Sequence, residues 1–225
     1  MAVALLLAAC SAPAPPPAES AAAQAGEVQA NKELAIYRQL QQEKSWELAA
    51  PIGEGIVSRF PGSLAAREVR ETLADTTAKA SAIATRRRLE RLWSYQSGKE
   101  SGGNQSTASI YSDDAVESRR VRLVLRRHSD WGESVYLYDG GKGFTCRATC
   151  RVAAHFDDQA RQLKAYLPPT GEPALFIEGE KDFVERLQRA QELRLEVTDK
   201  EGQRRTLHFE VGGFAPARWK PPARA

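Results

Sequence analysis

Apolar residues recur at helical spacing in the first part of the chain, with glutamine and glutamate filling the opposite face. The apolar stripe consists of Leu34, Tyr37, Leu40 and Leu48. Steps of three to four residues are typical of an amphipathic helix. Pro51 is expected to interrupt or kink this helix, because proline lacks a backbone N–H and clashes with the preceding turn. A short helical stretch from Ile52 to Phe60 is expected to follow.

A second long helix is predicted after the turn at Pro61-Gly62. Ser63 is well placed to cap it by accepting a hydrogen bond from an unpaired backbone N–H in its first turn. One face of this helix carries Val69, Leu73, Ala80 and Ile83, and the pattern continues to Leu92. The sequence therefore predicts a helical hairpin over residues 31–92.

From Trp93 onward the hydrophobic period falls to two. The alternating positions include Val121, Leu123, Leu125, Val135, Leu137, Val152, Ala154, Phe156, Leu163, Ala165, Leu193, Leu195, Val197, Leu207, Phe209 and Val211. Alternation punctuated by turn residues, such as Asp139-Gly140, is typical of antiparallel sheets in sandwiches or barrels. Between Glu180 and Gln191 the spacing becomes helical again. The predicted fold class is α+β: the hairpin, then an antiparallel β-sandwich-like domain over 93–220 with one inserted helix.

The first ten residues carry a targeting pattern. A short apolar run from Met1 ends in Leu7-Ala8-Ala9-Cys10, which resembles the lipobox of bacterial lipoproteins. The resemblance implies a signal peptide at residues 1–9 and fatty acids such as palmitate on Cys10. Ser11, where aspartate would favour inner-membrane retention, implies an outer-membrane protein facing the periplasm. No Lys or Arg precedes the run, a departure that a start codon placed too far downstream would explain; an ordinary buried segment is the alternative.

Residues 10–30 are predicted to form a tether. The segment is rich in alanine and contains Pro13 and Pro15 to Pro17. Proline-rich chains adopt extended polyproline II at about 3.1 Å per residue, so the tether would reach tens of Å. With the lipid at Cys10, it would hold the folded part near the membrane.

Two further resemblances concern the folded part. The junction Ile56 to Ala66 resembles one tetratricopeptide-like unit of periplasmic lipoproteins. In the second half, the cysteine pair, the strand ending at Phe156-Asp157, the strand Ala174 to Ile177, the helix and the final hairpin resemble the periplasmic β-sandwich of invasion-associated and type VI secretion-associated accessory proteins. That resemblance implies a non-enzymatic role in envelope assembly or stress.

Cys146 and Cys150 are the two cysteines that remain beside Cys10. Four residues of straight strand span about 13 Å, whereas a disulfide requires Cα atoms within about 7 Å. An oxidising compartment favours a disulfide, which requires the chain to turn at residues 147–149. The alternatives are a metal pair completed by His155 and a redox dithiol.

Candidate binding residues cluster around the predicted hairpin at 122–138. Tyr136 and Tyr138 share one strand face and Trp131 precedes them, so that they could stack on sugars or anchor a partner. Arg126 and Arg127 are basic neighbours that could meet anionic lipid head groups. The alternatives are that the tyrosines belong to the core, with Val135 and Leu137 outside, and that the arginines form a solvated face.

Charge and motifs limit the function. A net charge of +3 is not that of a nucleic-acid-binding protein. Asp139 to Gly143 lacks the Gly-Lys-Ser/Thr ending of a phosphate loop, and paired acids such as Asp113-Asp114 fall in turns. We expect no catalytic residues, metal or cofactor, and no nucleic-acid partner. The leading hypothesis is a non-enzymatic lipoprotein that binds or scaffolds an envelope protein or cell-wall partner. The alternatives are a structural tether acting through its helical hairpin and a cell-wall-acting enzyme.

Overall fold

The computed structural model describes residues 18–222, which form two compact units that meet in sequence between Ile83 and Ala84. We call them the helical unit and the sheet unit. Cys10, the signal peptide and the prolines of the tether lie outside the described residues. Within the described range, no helix has both the length and the apolar content needed to cross a membrane.

The helical unit contains α1 (Ala18–Gln42), α2 (Trp46–Arg59) and most of α3 (Leu64–Leu92). Since α1 begins at Ala18, the prediction of an extended tether is wrong for residues 18–30. Alanine is the strongest helix former, and Ala30 already packs in the core of this unit.

The break after α1 also differs from the prediction. Pro51 lies inside α2, and the chain turns earlier at Lys44, which has a φ of 57°. A proline in the second turn of a helix removes one intrahelical hydrogen bond, and α2 nevertheless continues to Arg59. Ser63 caps α3 as expected: its Oγ accepts a hydrogen bond from the Ala66 N–H at 3.0 Å.

The core of the helical unit depends on close approach at Gly53. A Cβ placed there would lie 2.8 Å from Tyr37 Cε2 and 2.9 Å from Leu73 Cδ1. The Tyr37 hydroxyl lies 2.9 and 3.0 Å from the hydroxyls of Thr72 and Thr76. Buried residues of this core are Ala30, Leu34, Tyr37, Ala49, Ile56, Ala65, Ala66 and Val69.

The sheet unit is a nine-stranded antiparallel sheet with one further helix. The strands are β1 (Ser94–Glu100), β2 (Gly103–Tyr111), β3 (Arg122–His128), β4 (Gly132–Tyr138), β5 (Thr149–Phe156), β6 (Gln159–Tyr166), β7 (Ala174–Ile177), β8 (Glu192–Thr198) and β9 (Arg204–Glu210). Helix α4 spans Glu180–Leu187. The order across the sheet is β1-β2-β3-β4-β7-β6-β5-β8-β9. The α+β class is confirmed.

One face of the sheet encloses the core. Every strand from β2 to β9 contributes alternate residues to a single buried cluster, so the sheet curls around one core. The loop after β2 meets β9, where the Asp113 N–H donates to the His208 carbonyl at 2.7 Å. Val135 and Leu137 are buried in this core, so the alternative that placed them outside and the tyrosines inside is wrong.

The predicted disulfide is present. Cys146 and Cys150 are bonded with their Cα atoms 5.4 Å apart. The chain turns between them, as the distance argument requires, and Ala148 has a φ of 52°. Both thiols are consumed by the bond, which excludes a metal site or a reduced dithiol on this pair in the observed state.

Candidate functional site

The face of strands β2, β3 and β4 that points away from the core carries polar and aromatic side chains. Leu123 and Leu125 of β3 are buried in the core, and because successive side chains alternate, Arg122, Val124 and Arg126 point to the opposite side. We call this side of the sheet the outer face.

The strand register determines which residues of β2 and β4 lie next to Arg122, Val124 and Arg126 on the outer face. Arg122 pairs with Tyr111 of β2 and Tyr138 of β4, and Arg126 pairs with Thr107 and Ser134. Val124 lies between them, opposite Ser109 and Tyr136. Although Val124 belongs to the outer face, it is only 3% exposed. The long side chains around it therefore cover the sheet as a layer.

The two arginines of β3 lie over aromatic rings. The Cζ atom of Arg122 is 5.3 Å from the centre of the Tyr138 ring. The Cζ atom of Arg126 is 5.5 Å from the centre of Tyr136 and 5.2 Å from that of Trp131. Such distances are those of cation–π contacts.

Neither of these two arginines forms an ion pair with a described carboxylate. Arg126 Nε donates to Ser134 Oγ at 3.0 Å, and the buried Nε of Arg122 has no hydrogen-bond partner. Among the side chains of residues 22–222, no carboxylate lies within ion-pair distance of either guanidinium. Both cations remain available to a ligand.

A groove of about 260 Å³ follows the outer face. We call it the outer groove; it is lined by Gln96, Ser97, Gly98, Glu100, Gln105, Thr107, Ser109, Arg122, Val124, Arg126 and Tyr136. Arg122 also lines an adjoining hollow of about 620 Å³, with Tyr111, Tyr138 and the Asp139 to Lys142 turn. Burial raises the pKa of the Asp139 carboxyl in that turn, while Arg205 and Lys142 oppose the shift.

Tyr136 belongs to a row of stacked rings. Its ring centre lies 4.9 Å from that of Phe176 on β7, and Phe176 lies 5.5 Å from Tyr166 on β6. Burial raises the pKa of the Tyr136 phenol, against the opposing effect of the Arg126 and Arg122 charges. The hydroxyl therefore stays protonated at neutral pH and can donate or accept a hydrogen bond.

His128 fixes the position of Trp131. Its ring is 3% exposed and lies 3.8 Å from the indole, nearly parallel to it. His128 Nδ1 accepts the Asp130 and Trp131 N–H groups at 3.2 and 3.4 Å. Nε2 therefore carries the proton and donates to the Glu100 carbonyl at 3.0 Å. Trp131 is held on one face and remains 52% exposed.

Arg127 does not belong with the other predicted binding residues. It follows Arg126 on the strand and therefore points to the opposite side, where its Nε donates to Glu133 Oε1 at 2.8 Å. Its terminal nitrogen Nη1 donates to the Trp219 carbonyl at 2.7 Å, and its Cζ lies 3.8 Å from the Trp219 ring centre. Grouping Arg127 with Arg126 as one basic cluster is therefore wrong.

The structure thus brings together Trp131, Tyr136, Tyr138 and Arg126, and adds residues that the sequence analysis missed. Arg122 and Tyr111 are the most important additions. Arg122 could have been found by strand parity, since residues 122, 124 and 126 must share a face once β3 is recognised. Tyr111 could not have been found in this way, because the polar strands β1 and β2 lack the alternation of apolar residues that identifies β3.

No model of a protein family matches the chain, and no curated protein matches it significantly. Among solved structures, the chain is similar to invasion associated protein B from Bartonella henselae, with 18% identity and a TM-score of 0.39, over 56% of this chain and 87% of that one. By its name, that protein is one of the invasion-associated proteins, which the order of elements in the second half of this chain also resembles. A likeness at this level carries no argument about function.

Proposed function

We propose that this chain is a non-enzymatic outer-membrane lipoprotein that faces the periplasm and binds an envelope partner through the outer groove. The lipid on Cys10 would hold the protein at the membrane, and the sheet unit would supply the binding surface. The partner would be a protein or a component of the cell wall.

The observation that carries this proposal is the pair Arg122 and Arg126. Arg122 and Arg126 form no ion pair with a described carboxylate, unlike Arg88, which binds Glu210 at 2.7 Å, and Arg205, which lies 3.6 Å from Asp139. A cationic surface flanked by aromatic rings is typical of interaction sites, where arginine and tyrosine contribute strongly to binding energy.

The disulfide supports the proposed location in the periplasm. Such bonds persist in oxidising environments such as the periplasm and are rare in the cytosol. Together with the lipobox pattern at Leu7 to Cys10, the Cys146–Cys150 bond favours export.

The anchor can be tested by metabolic labelling. A clickable fatty acid should label the wild-type chain and leave the Cys10→Ser variant unlabelled. Label on the variant would contradict lipidation at this residue.

Binding through the groove can be tested by sedimentation with isolated envelope fractions. The full chain carrying Cys10→Ser avoids retention by its own lipid. Adding Arg122→Ala and Arg126→Ala should reduce retention at least about tenfold, since charge-assisted hydrogen bonds contribute about 1.5–3 kcal/mol each.

The matched control removes two exposed arginines of β5 and β6 by Arg151→Ala and Arg161→Ala. Equal losses from both pairs would contradict a specific groove. Loss caused instead by Leu48→Ser and Leu64→Ser, which replace side chains 62% and 64% exposed on the helical unit, would favour the structural-tether alternative.

The enzymatic alternative has its own assay. The purified full chain should release no fragments from peptidoglycan and should hydrolyse no ester substrate. Turnover that persists through purification and depends on the outer-groove residues would contradict the non-enzymatic proposal.

A further inference from the structure

At each end of the outer groove, an arginine of the lining has an exposed aromatic residue as a neighbour, and both of these aromatic residues lie outside the lining itself. At one end, Arg126 lies beside Trp131, which is 52% exposed; at the other, Arg122 pairs across the strands with Tyr111, which is 57% exposed. The two arginines are four residues apart on one strand, so their Cα atoms are about 13 Å apart. A repeated pair of a cation and an exposed ring suits a ligand with a repeated acidic unit.

The floor of the groove offers side chains and no backbone. β3 is hydrogen-bonded to β2 on one side and to β4 on the other, so its N–H and C=O groups are occupied. A peptide that binds by adding a strand needs a free sheet edge, and an amphipathic helix needs an apolar groove. A strand-adding peptide would pair with the edge strand β1, two strands away from the arginines of β3, and the groove offers no apolar floor to a helix, since Val124 is covered.

The lining between the ends is rich in amides and hydroxyls. Gln96, Gln105, Thr107 and Ser109 line the groove beside the Tyr136 phenol. Each of these groups can donate or accept a hydrogen bond, as the hydroxyl groups of a sugar require. The rings of Trp131 and Tyr111 add flat, partly exposed surfaces with an apolar body.

The charge of the groove favours an anionic ligand. Glu100 also lines it, and its Oε2 accepts the Gln105 side-chain N–H at 2.7 Å. Two arginines and one carboxylate therefore line the groove, whose charge is positive on balance. The planar guanidinium fork matches a carboxylate in two parallel hydrogen bonds. Phosphate sites commonly add backbone N–H groups from a helix N-terminus, and the paired strand β3 cannot supply them.

From these observations we infer that the outer groove binds a chain of sugars bearing carboxylate groups, with Arg122 and Arg126 each taking one carboxylate and Trp131 and Tyr111 contacting sugar rings. This inference names the ligand class of the proposed binding function and rests on it. The polar side chains of β1 and β2 would meet the hydroxyl groups between the two acidic units.

The test uses a defined probe. A hexamer of galacturonic acid, its fully methyl-esterified form and a neutral glucose hexamer are titrated into the full chain by calorimetry. The acidic hexamer should bind, and the ester should bind at least about tenfold more weakly because it lacks the charged acceptors. Equal affinity for the acidic and esterified hexamers would overturn the inference.

Arginine-to-lysine variants separate recognition by the guanidinium group from nonspecific electrostatic attraction. Arg122→Lys with Arg126→Lys keeps both charges but loses the planar fork, and should weaken binding of the acidic hexamer at least about tenfold. The Arg151→Lys, Arg161→Lys pair is the matched control and should leave affinity unchanged. Trp131→Ala, which removes an exposed ring, should weaken the acidic and esterified hexamers to a similar degree.

Poly-L-glutamate distinguishes an acidic peptide from a glycan. If poly-L-glutamate binds in an arginine-dependent way and the hexamer does not, the ligand class is wrong, while groove-dependent retention of envelope fractions would still support the proposed function. If the arginine variants leave envelope retention unchanged, the proposed function itself fails. The two failures are therefore distinguishable.

Discussion

Arg126 and Arg127 are adjacent in sequence, lie on opposite sides of one strand, and each contacts a tryptophan. The cluster around Arg127 is closed: its guanidinium is shared among Glu133, the Trp219 carbonyl and the Trp219 ring. The cluster around Arg126 is open, with one hydrogen bond to Ser134 and a tryptophan that is half exposed.

The difference shows that the same residue types are used up by internal contacts in one place and left exposed in another. Trp219 is 1% exposed and its Nε1 donates to the Ser106 carbonyl at 3.3 Å, so the closed cluster satisfies its polar groups internally. A buried polar group without a partner costs free energy, and the closed cluster avoids this cost. The open cluster leaves arginine donors and part of the Trp131 ring exposed.

The largest expected effect comes from removing the two tryptophans in turn. Trp219→Ala should lower the free energy of unfolding by about 3–5 kcal/mol, as expected for a buried aromatic side chain. Trp131→Ala should change it by about 0.5 kcal/mol or less, as expected for an exposed position. Urea unfolding followed by circular dichroism measures both, and similar losses would show that the open cluster is also structural.

The disulfide is expected to make the next largest contribution to the free energy of unfolding. A ring of about five residues limits the unfolded chain less than a long one, so replacing both Cys146 and Cys150 by serine should cost about 2 kcal/mol. Urea unfolding of this variant measures that cost.

Mass spectrometry of protein taken from cells under thiol block should find neither cysteine of the pair alkylated. Two alkylated cysteines would contradict the bond and reopen the metal and dithiol alternatives. Label at Cys10 would not count against the bond, because Cys10 lies outside the pair.

The sequence predicted a strand only where apolar and polar residues alternate clearly. Val135 and Leu137 alternate cleanly with polar neighbours, and their strand and its buried face follow from that pattern. β1 and β2 were missed because Ser94 to Ser109 is mostly polar on both faces, and their pairing depends on a partner strand that periodicity does not show. The polarity that hid these strands also makes them suitable to line a groove.

The candidate site was predicted in part. Trp131, Tyr136, Tyr138 and Arg126 lie together as the cluster of residue types indicated. Arg127 was included because sequence adjacency does not separate the two faces until the strand register is known. Trp219 could not be assigned, since its place beside Arg127 results from contacts between residues 92 positions apart.

A smaller effect should separate the two adjacent arginines. Arg127→Met keeps an apolar stem but leaves the Trp219 carbonyl without its donor, and should cost about 1–2 kcal/mol. Arg126→Met should be near neutral for stability. Thermal unfolding of the two variants at one protein concentration compares them directly, and an equal shift in Tm would remove the distinction between the open and closed clusters.

The smallest expected effect is on acid stability. The hydrogen bonds from Arg88 to Glu210, at 2.7 Å, hold the pKa of that carboxyl below its usual range. A carboxyl with a lowered pKa in the folded state stabilises the protein above its unfolded pKa of about 4.3, and this contribution is lost as pH falls through the folded pKa. Both side chains are partly exposed, so solvent and salt reduce the contribution.

Glu210→Gln should therefore lower stability at pH 7 slightly and flatten its decline below pH 4. Arg122→Gln should leave the shape of the pH profile unchanged, because no described carboxylate forms an ion pair with Arg122. Urea midpoints measured from pH 7 to pH 3 test both variants. A changed acid profile in Arg122→Gln would reveal an acidic partner within the chain and would contradict the availability of this arginine for an acidic ligand.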